Sequence, residues 1–204
     1  INLMYSDDLI NEIIKALGDN SSGVKKDFNV TKTSISEVYE KFKYFKTHYY
    51  DESMLPNINS NWDLKLFNTF RSYIPYDKHF PKSQRKHVDN RGYFSELVKS
   101  KSEGQTSISS SGPGIERGNH FHTRKIERFQ ILEGSATVQL RKIDSDIIKS
   151  YKLSSDTLDF IDIPIWHTHN LINNSKTSSL LMLFWISEHY NEQSHDTYPL
   201  KVNL

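Results

Sequence analysis

Two histidines one residue apart, His120 and His122, are followed five positions later by Glu127, and another imidazole, His169, lies in the run Ile163-Pro-Ile-Trp-His-Thr-His-Asn-Leu-Ile-Asn173. On a strand, residues two apart project from one face, so His120 and His122 can point to one place. Glu127, on the following strand, can return to it. Three imidazoles and a carboxylate form a borderline site suited to zinc, iron, manganese, nickel or cobalt. The chain has no cysteine, which excludes thiolate ligation, disulfide scaffolds and cysteine nucleophiles and leaves nitrogen and oxygen as the only donors.

The bulk properties remove other functions. With 26 basic and 25 acidic side chains the formal charge is +1, which gives no reason for a nucleic acid or an anionic membrane as partner. The most apolar run, Ser179 to Ile186, is too short to span a bilayer. No secretion signal is evident, so a soluble, cytoplasmic protein is expected. The chain opens on Ile1 rather than Met and reads as part of a longer protein.

The elements that must position the histidines occupy the later part of the chain. From about residue 81, short β-rich runs alternate with turn residues: 93–98, 106–110, 128–132, 136–142, 150–153, 158–163, 169–172 and 180–186. Strands at this spacing predict a sandwich or barrel rather than a parallel sheet with crossover helices. Residues 1–80 read mostly as helix. Ser6 is expected to cap a helix with the apolar stripe Leu9, Ile10, Ile13, Ile14 and Leu17, stopped at Gly18. Residues 28–33 alternate like a strand. Ser34 and Glu37 form a capping box before Ile35, Val38, Tyr39, Phe42 and Phe45. Trp62, Leu66, Phe67, Phe70 and Ile74 mark a third helix. Tyr39-Glu-Lys-Phe-Lys43 fits a Tyr-x-x-x-Lys pattern, but Tyr39 lies on the apolar stripe and is read as core. The stripe of the first helix must fold onto another surface or stay exposed.

Gly114, His120, His122, Glu127 and Gly134 fill every position of the first cupin motif: Gly, five residues, His-x-His, a short gap, Glu, six residues, Gly. Pro164, His169 and Asn173 match the second, whose two glycines are replaced by Leu158 and Trp166. The chain thus resembles the cupin family, which implies a jelly-roll barrel with His120, His122, Glu127 and His169 as metal ligands. Trp185 is expected inside that barrel as core filler. The segment Asp89-Asn-Arg91-Gly-Tyr-Phe94-Ser-Glu96 resembles the Asp-x-Arg-Gly-x-Phe-x-Glu run of cupin sugar-nucleotide epimerases, where the arginine helps hold a diphosphate. This marks Arg91 and Glu96 as substrate-binding candidates. Arg117 and Arg124 join them, since a planar guanidinium fork suits phosphate.

A closer resemblance covers nearly the whole chain. Gly118-Asn-His-Phe-His122, Lys125, Glu127, Asp162-Ile-Pro164 and Thr168-His-Asn170 are similar to the C-terminal cupin of CapF-type enzymes of capsular polysaccharide synthesis. Tyr5-Ser-Asp-Asp-Leu-Ile-Asn-Glu-Ile-Ile14 is similar to a late helix of extended short-chain dehydrogenases, the domain that precedes the cupin there. The expected organisation is therefore mainly β with an α-rich N-terminal segment. Residues 1–80 would be the C-terminal remnant of a short-chain dehydrogenase-like reductase domain, and residues 81–204 a cupin metal-binding epimerase domain.

The resemblance implies epimerisation at C3 of a UDP-2-acetamido-2,6-dideoxy-4-ketohexose, aided by a divalent metal, zinc first among the candidates. Proton transfer falls to Lys125 or His167; the latter stands where the family tends to carry Tyr. A homodimer through the cupin is implied as well. No glycine-rich dinucleotide cradle is present, so C4 reduction with NADPH belongs to the full-length protein and not to this chain. A sugar-nucleotide ketoisomerase, an iron cupin dioxygenase and a non-catalytic sugar-binding cupin are the alternatives.

Overall fold

The computed structural model describes residues 1–19, 23–24 and 28–203. The chain divides into two compact units, Ile1–Phe80 and Pro81–Leu204.

Among the described residues, the first unit pairs two short strands, β1 (Asn2–Leu3) and β2 (Thr31–Lys32), and carries the α-helices α1 (Ser6–Leu17), α2 (Ile35–Phe45), α3 (Asn61–Ser72) and α4 (Tyr76–His79). A π-helical turn, Lys46–Asp51, continues α2. The capping box at Ser34 forms in both directions: the Glu37 amide donates to Ser34 Oγ at 3.1 Å, and the Ser34 amide donates to Glu37 at 2.8 Å. Ser60 caps α3. A small core gathers Phe45, Leu66 and Phe67, with Phe42, Trp62 and Phe70 against it.

Several expectations for this unit are corrected. Ser6 is the first residue inside α1, whose N-cap is Tyr5, so its hydroxyl does not cap the helix. Only Thr31 and Lys32 of the 28–33 run are in a strand, because β1 offers just two residues to pair with. Tyr39 is exposed, since α2 packs through Phe42 and Phe45 instead. The α1 stripe is exposed along its length, from 43% at Leu9 to 83% at Leu17.

The second unit is a cupin-type jelly roll. It contains β3 (His87–Asp89), β4 (Gly92–Lys99), β5 (Gln105–Ser111), β6 (Glu116–Phe121), β7 (Glu127–Glu133), β8 (Ser135–Lys142), β9 (Ile148–Ser154), β10 (Phe160–Ile163), β11 (His167–Asn173), β12 (Leu180–Ile186) and β13 (Tyr198–Pro199). Two antiparallel sheets face each other, ordered β10-β7-β12-β5-β4-β3 and β13-β6-β11-β8-β9. Alternate residues of β7, β8, β11 and β12 turn inward, and Ile131, Val138, Leu171 and Leu180 meet in one core, each at most 2% exposed. Burying each such side chain contributes about 1.5–3 kcal/mol. Trp185 does not join them. Strand alternation turns Met182 and Phe184 inward and leaves Trp185 on the outer face, 38% exposed.

Both residues that stand in for motif glycines occupy left-handed backbone, Leu158 at φ 52° and Trp166 at φ 61°. The turns have kept the conformation glycine suits and carry the strain of a side chain there, of order 1–2 kcal/mol each. Gly118 is needed for space as well: a Cβ there would stand 2.7 Å from the His169 carbonyl oxygen.

Candidate metal centre

The four candidate ligands come from both sheets. His120 lies near the end of β6 and faces His169, its register partner on β11. His122 follows directly after β6, and Glu127 opens β7 in the opposite sheet. Their ligand atoms all lie within 4.8 Å of one another. Glu127 Oε2 is 3.0 Å from His122 Nε2 and 3.3 Å from His169 Nε2.

A bulge makes this convergence possible. Opposite the step from His169 to Asn170, β6 carries an extra residue, Asn119, between His120 and Gly118. Asn119 takes φ 64° and is tied down on the outer face, where the Leu200 amide donates to its carbonyl and the Val202 amide to its side chain. Residues three apart on a regular strand face opposite ways; the inserted residue turns both Arg117 and His120 into the same interior.

The residues present fit a metal. His122 Nδ1 must donate to the Asp196 carbonyl, because a carbonyl only accepts. That leaves Nε2 as the atom facing Glu127. A lone pair and a carboxylate at 3.0 Å repel unless a cation or a proton lies between them. Both His169 ring nitrogens are buried without a hydrogen-bond partner among the described residues. Nε2, the nitrogen of His169 turned toward the Glu127 carboxylate, is the one a borderline divalent ion would complete.

Electrostatics agree. Burial, with His169 beside it, lowers His120 to about 4, so it is a neutral donor near pH 7. Burial is the largest influence on His122 and acts to lower it, but the hydrogen bond and charge of Glu127 together with the Asp196 carbonyl outweigh it and the value is raised. Glu127 is held below the ordinary carboxylate range; burial opposes this, and the two imidazoles overcome it.

Asp196 braces the loop between the ligands. Its carboxylate accepts from the backbone amides of Thr123, Arg124 and Lys125 at 2.8–3.2 Å and from the Thr123 hydroxyl. Burial acts to raise this carboxylate, and those donors together hold it far below its usual value. The motif gave no hint of this residue, which lies 69 positions beyond Glu127 in the sequence.

A cavity of about 500 Å³ opens beside the cluster, lined by His120, Glu127 and His169 together with Arg91 and Arg117. Asp89 joins the two arginines. Arg91 Nε donates to it at 2.9 Å and Arg117 lies 3.7 Å away, which holds Asp89 down at about 2. Phe94 and Phe184 stack on one wall at 5.5 Å. His87, Ser109 and Phe184 also line the cavity, and the sequence had not singled them out as site residues.

Other candidates lie elsewhere. Arg124 pairs with Glu188 at 3.1 Å and donates to the Ser194 carbonyl, in a separate surface depression. Glu96 pairs with Lys99 at 2.6 Å. Lys125 is buried, its ammonium 4.0 Å from Glu188 and close enough to His122 to oppose its protonation. His167 begins β11 with Nδ1 2.9 Å from the Ile165 carbonyl. None of these four is among the residues lining the cavity.

Residues 87–198, more than half of the chain, match the family described as the polysaccharide biosynthesis C-terminal domain. The chain is 27% identical to the UDP-2-acetamido-2,6-beta-L-arabino-hexul-4-ose reductase of Pseudomonas aeruginosa, over 99% of this chain and 54% of that protein. Capsular polysaccharide assembling protein CapF from Staphylococcus aureus superposes with a TM-score of 0.84 at 32% identity, covering 99% of this chain and 55% of CapF. A structure of CapF with the inhibitor 3-isopropenyl-tropolone gives 0.84 at 31%, covering 99% of this chain and 59% of that one. The chain thus spans about half the length of these relatives. The family match runs from β3 to β13 and takes in all four clustered residues, and the chain belongs to the polysaccharide biosynthesis C-terminal domain family.

Proposed function

We propose that this chain carries the C3 epimerisation of a UDP-2-acetamido-2,6-dideoxy-4-ketohexose in capsular polysaccharide synthesis, toward UDP-N-acetyl-L-fucosamine. In this reading the first unit is the end of a reductase domain whose NADPH-binding part lies mostly outside the chain. The carrying observation is one cavity that joins the His120–Glu127–His169 cluster to the paired Arg91 and Arg117. The ketone belongs at the first and the diphosphate at the second.

His120, His122, Glu127 and His169 would hold a divalent metal, zinc in this reading. Bound there, it supplies a Lewis acid for the negative charge that builds on a ketone oxygen when the neighbouring carbon loses its proton. Arg91 and Arg117 offer guanidinium forks to the diphosphate, with Asp89 fixing their geometry before substrate arrives. Phe129 and Phe184 give the cavity an apolar wall suited to the C6 methyl group. Lys125, buried beside His122, is the proton-transfer group in this reading, with His167 as the second candidate. Arg124 and Glu96 reach substrate in this reading only if their present ion pairs open. A cytoplasmic location, in keeping with the lack of cysteine, and a homodimer through the second unit complete the proposal. Among the described residues no helix is long and apolar enough to cross a membrane.

Incubating the metal-loaded chain with the 4-keto UDP-sugar in heavy water should place deuterium at C3. No exchange with metal bound overturns the epimerase reading. Oxygen uptake with iron points to a dioxygenase, migration of the ketone to a ketoisomerase, and tight binding without turnover to a sugar-binding module. Sedimentation as a monomer at micromolar concentration removes the dimer.

A further inference from the structure

The inner face of β5 is polar where a core would be apolar, and one of its residues, Ser109, borders the cavity. Gln105, Ser107, Ser109 and Ser111 alternate along it, and each is at most 4% exposed. Their inward neighbours on β12 are apolar: Phe184 beside Ser107, Met182 beside Ser109 and Leu180 beside Ser111. A sandwich strand with such neighbours would ordinarily turn apolar side chains inward. Here the apolar residue of β5, Ile108, points outward.

Two of the serines have work within the protein. Ser107 Oγ accepts from Gln105 Nε2 at 2.9 Å, and Ser111 Oγ accepts from Arg117 Nε at 2.9 Å. Ser109 Oγ is buried and finds no partner among the described residues, and Ser109 is one of the residues that line the cavity. Native proteins satisfy nearly all buried hydroxyls, so an orphan facing a cavity marks the place where a ligand supplies the partner.

The position of Ser109 along β5 narrows what that partner is. Ser111, two residues on, anchors Arg117, while Gln105, four residues back, pairs with Ile186, the register partner of Glu127. Ser109 therefore lies between the arginine end and the cluster end, about 7 Å along the strand from Ser111. A hexose with its C4 ketone at the cluster and its C1 phosphate at the arginines places C5 next to the cluster end and C2 next to the arginine end. Phe129 and Phe184 face the first position, and Ser109 the second.

We propose that Ser109 contacts the substrate and reads the amide on C2 of the sugar ring, its hydroxyl pairing with the acetamido group. This rests on the nucleotide-sugar reading above and adds a residue that sets selectivity for a 2-acetamido over a 2-hydroxy sugar. UDP-N-acetylglucosamine and UDP-glucose differ at that carbon and serve as probes without turnover.

The test is calorimetric titration of both into the metal-loaded chain and its Ser109→Ala variant, with melting curves of each protein. The wild type should prefer the acetamido sugar. The variant should lose about 5- to 10-fold in affinity for it, keep UDP-glucose affinity within about 2-fold, and melt no lower than the wild type, because the removed hydroxyl had no partner. Equal affinities of the wild type for the two probes overturn the assignment. So does a variant that binds both as the wild type does, the result expected if Ser109 holds only water, or one that weakens both alike. Failure of the wild type to bind either probe overturns the nucleotide-sugar reading itself, which separates the two failures.

Discussion

The interior of the jelly roll has two ends that share strands but not chemistry. At one end Ile131, Val138 and Leu180 close into a core with almost no exposure, and Leu171 spans from that core to the cavity at the other end. At the other, His120, Glu127, His169 and Ser109 line a cavity, with His122 completing the cluster beside it. Strand β7 serves both, with Glu127 at the cavity and Ile131 in the core, on the same face four residues apart. The apolar end carries the fold, and in the proposed reading a metal and a substrate would supply the partners that the buried polar groups at the other end lack.

Substitutions at each end should separate stability from chemistry. The largest effect is expected at the cluster. Glu127→Gln or His169→Ala should abolish metal retention and cut C3 exchange by about 10²–10³-fold or more, the scale of losing the main charge-stabilising element. Melting of the metal-free protein should change less than in a core variant, since the apolar core is left intact. A collapse of the fold in both variants would erase the distinction between the ends.

The core end should behave in the opposite way. Ile131→Ala leaves a cavity in close-packed surroundings and should cost about 2–5 kcal/mol in urea unfolding, with metal binding retained at temperatures where the variant is folded. Loss of metal without loss of stability would place Ile131 in the site rather than the core.

Acid should weaken the polar end first. The folded value of His120 is about 4, below the ordinary imidazole value of 6.5, so the unfolded chain takes up that proton first. Its contribution is present above about pH 6.5 and is lost as pH falls toward 4, up to about 3 kcal/mol. His122, with a raised value, acts in the other direction and loses its contribution as pH rises through that value. Chelator-treated protein followed by urea melts between pH 4 and 7 should show the decline toward acid, and a flat profile would contradict the assigned environment of His120.

The smallest effect concerns the turns that border the barrel. Leu158→Gly and Trp166→Gly relieve left-handed backbone at a modest cost in chain entropy, with a net change expected within about 1 kcal/mol of neutral. A loss of several kcal/mol at Trp166 would show that its ring, which lies 6.2 Å from Phe121, carries packing that outweighs the strain.

The four clustered residues were legible because spacing within one motif and order between two motifs survive without any knowledge of packing. The jelly roll was legible from short strands between turns. Three features were not. The bulge at Asn119 that turns Arg117 inward has no signal in the motif and shows only in the pairing of β6 with β11. The alternation of β5 puts Ile108 outside and serines inside, the reverse of the usual pattern, because that face borders a cavity. Lys125 and His167 sit near ligands in sequence, yet chain direction after a strand end is set by Asp196, a distant brace that no local pattern announces. The α1 stripe was read correctly as amphipathic, and its exposure follows from the first unit packing through α2 and α3 instead.

Whether the polar end holds a metal is decided by elemental analysis of the purified chain. After loading with zinc and exhaustive dialysis, the account predicts about one ion per chain in the wild type and essentially none in His169→Ala. Equal metal content in the two proteins, or none in either, would contradict it.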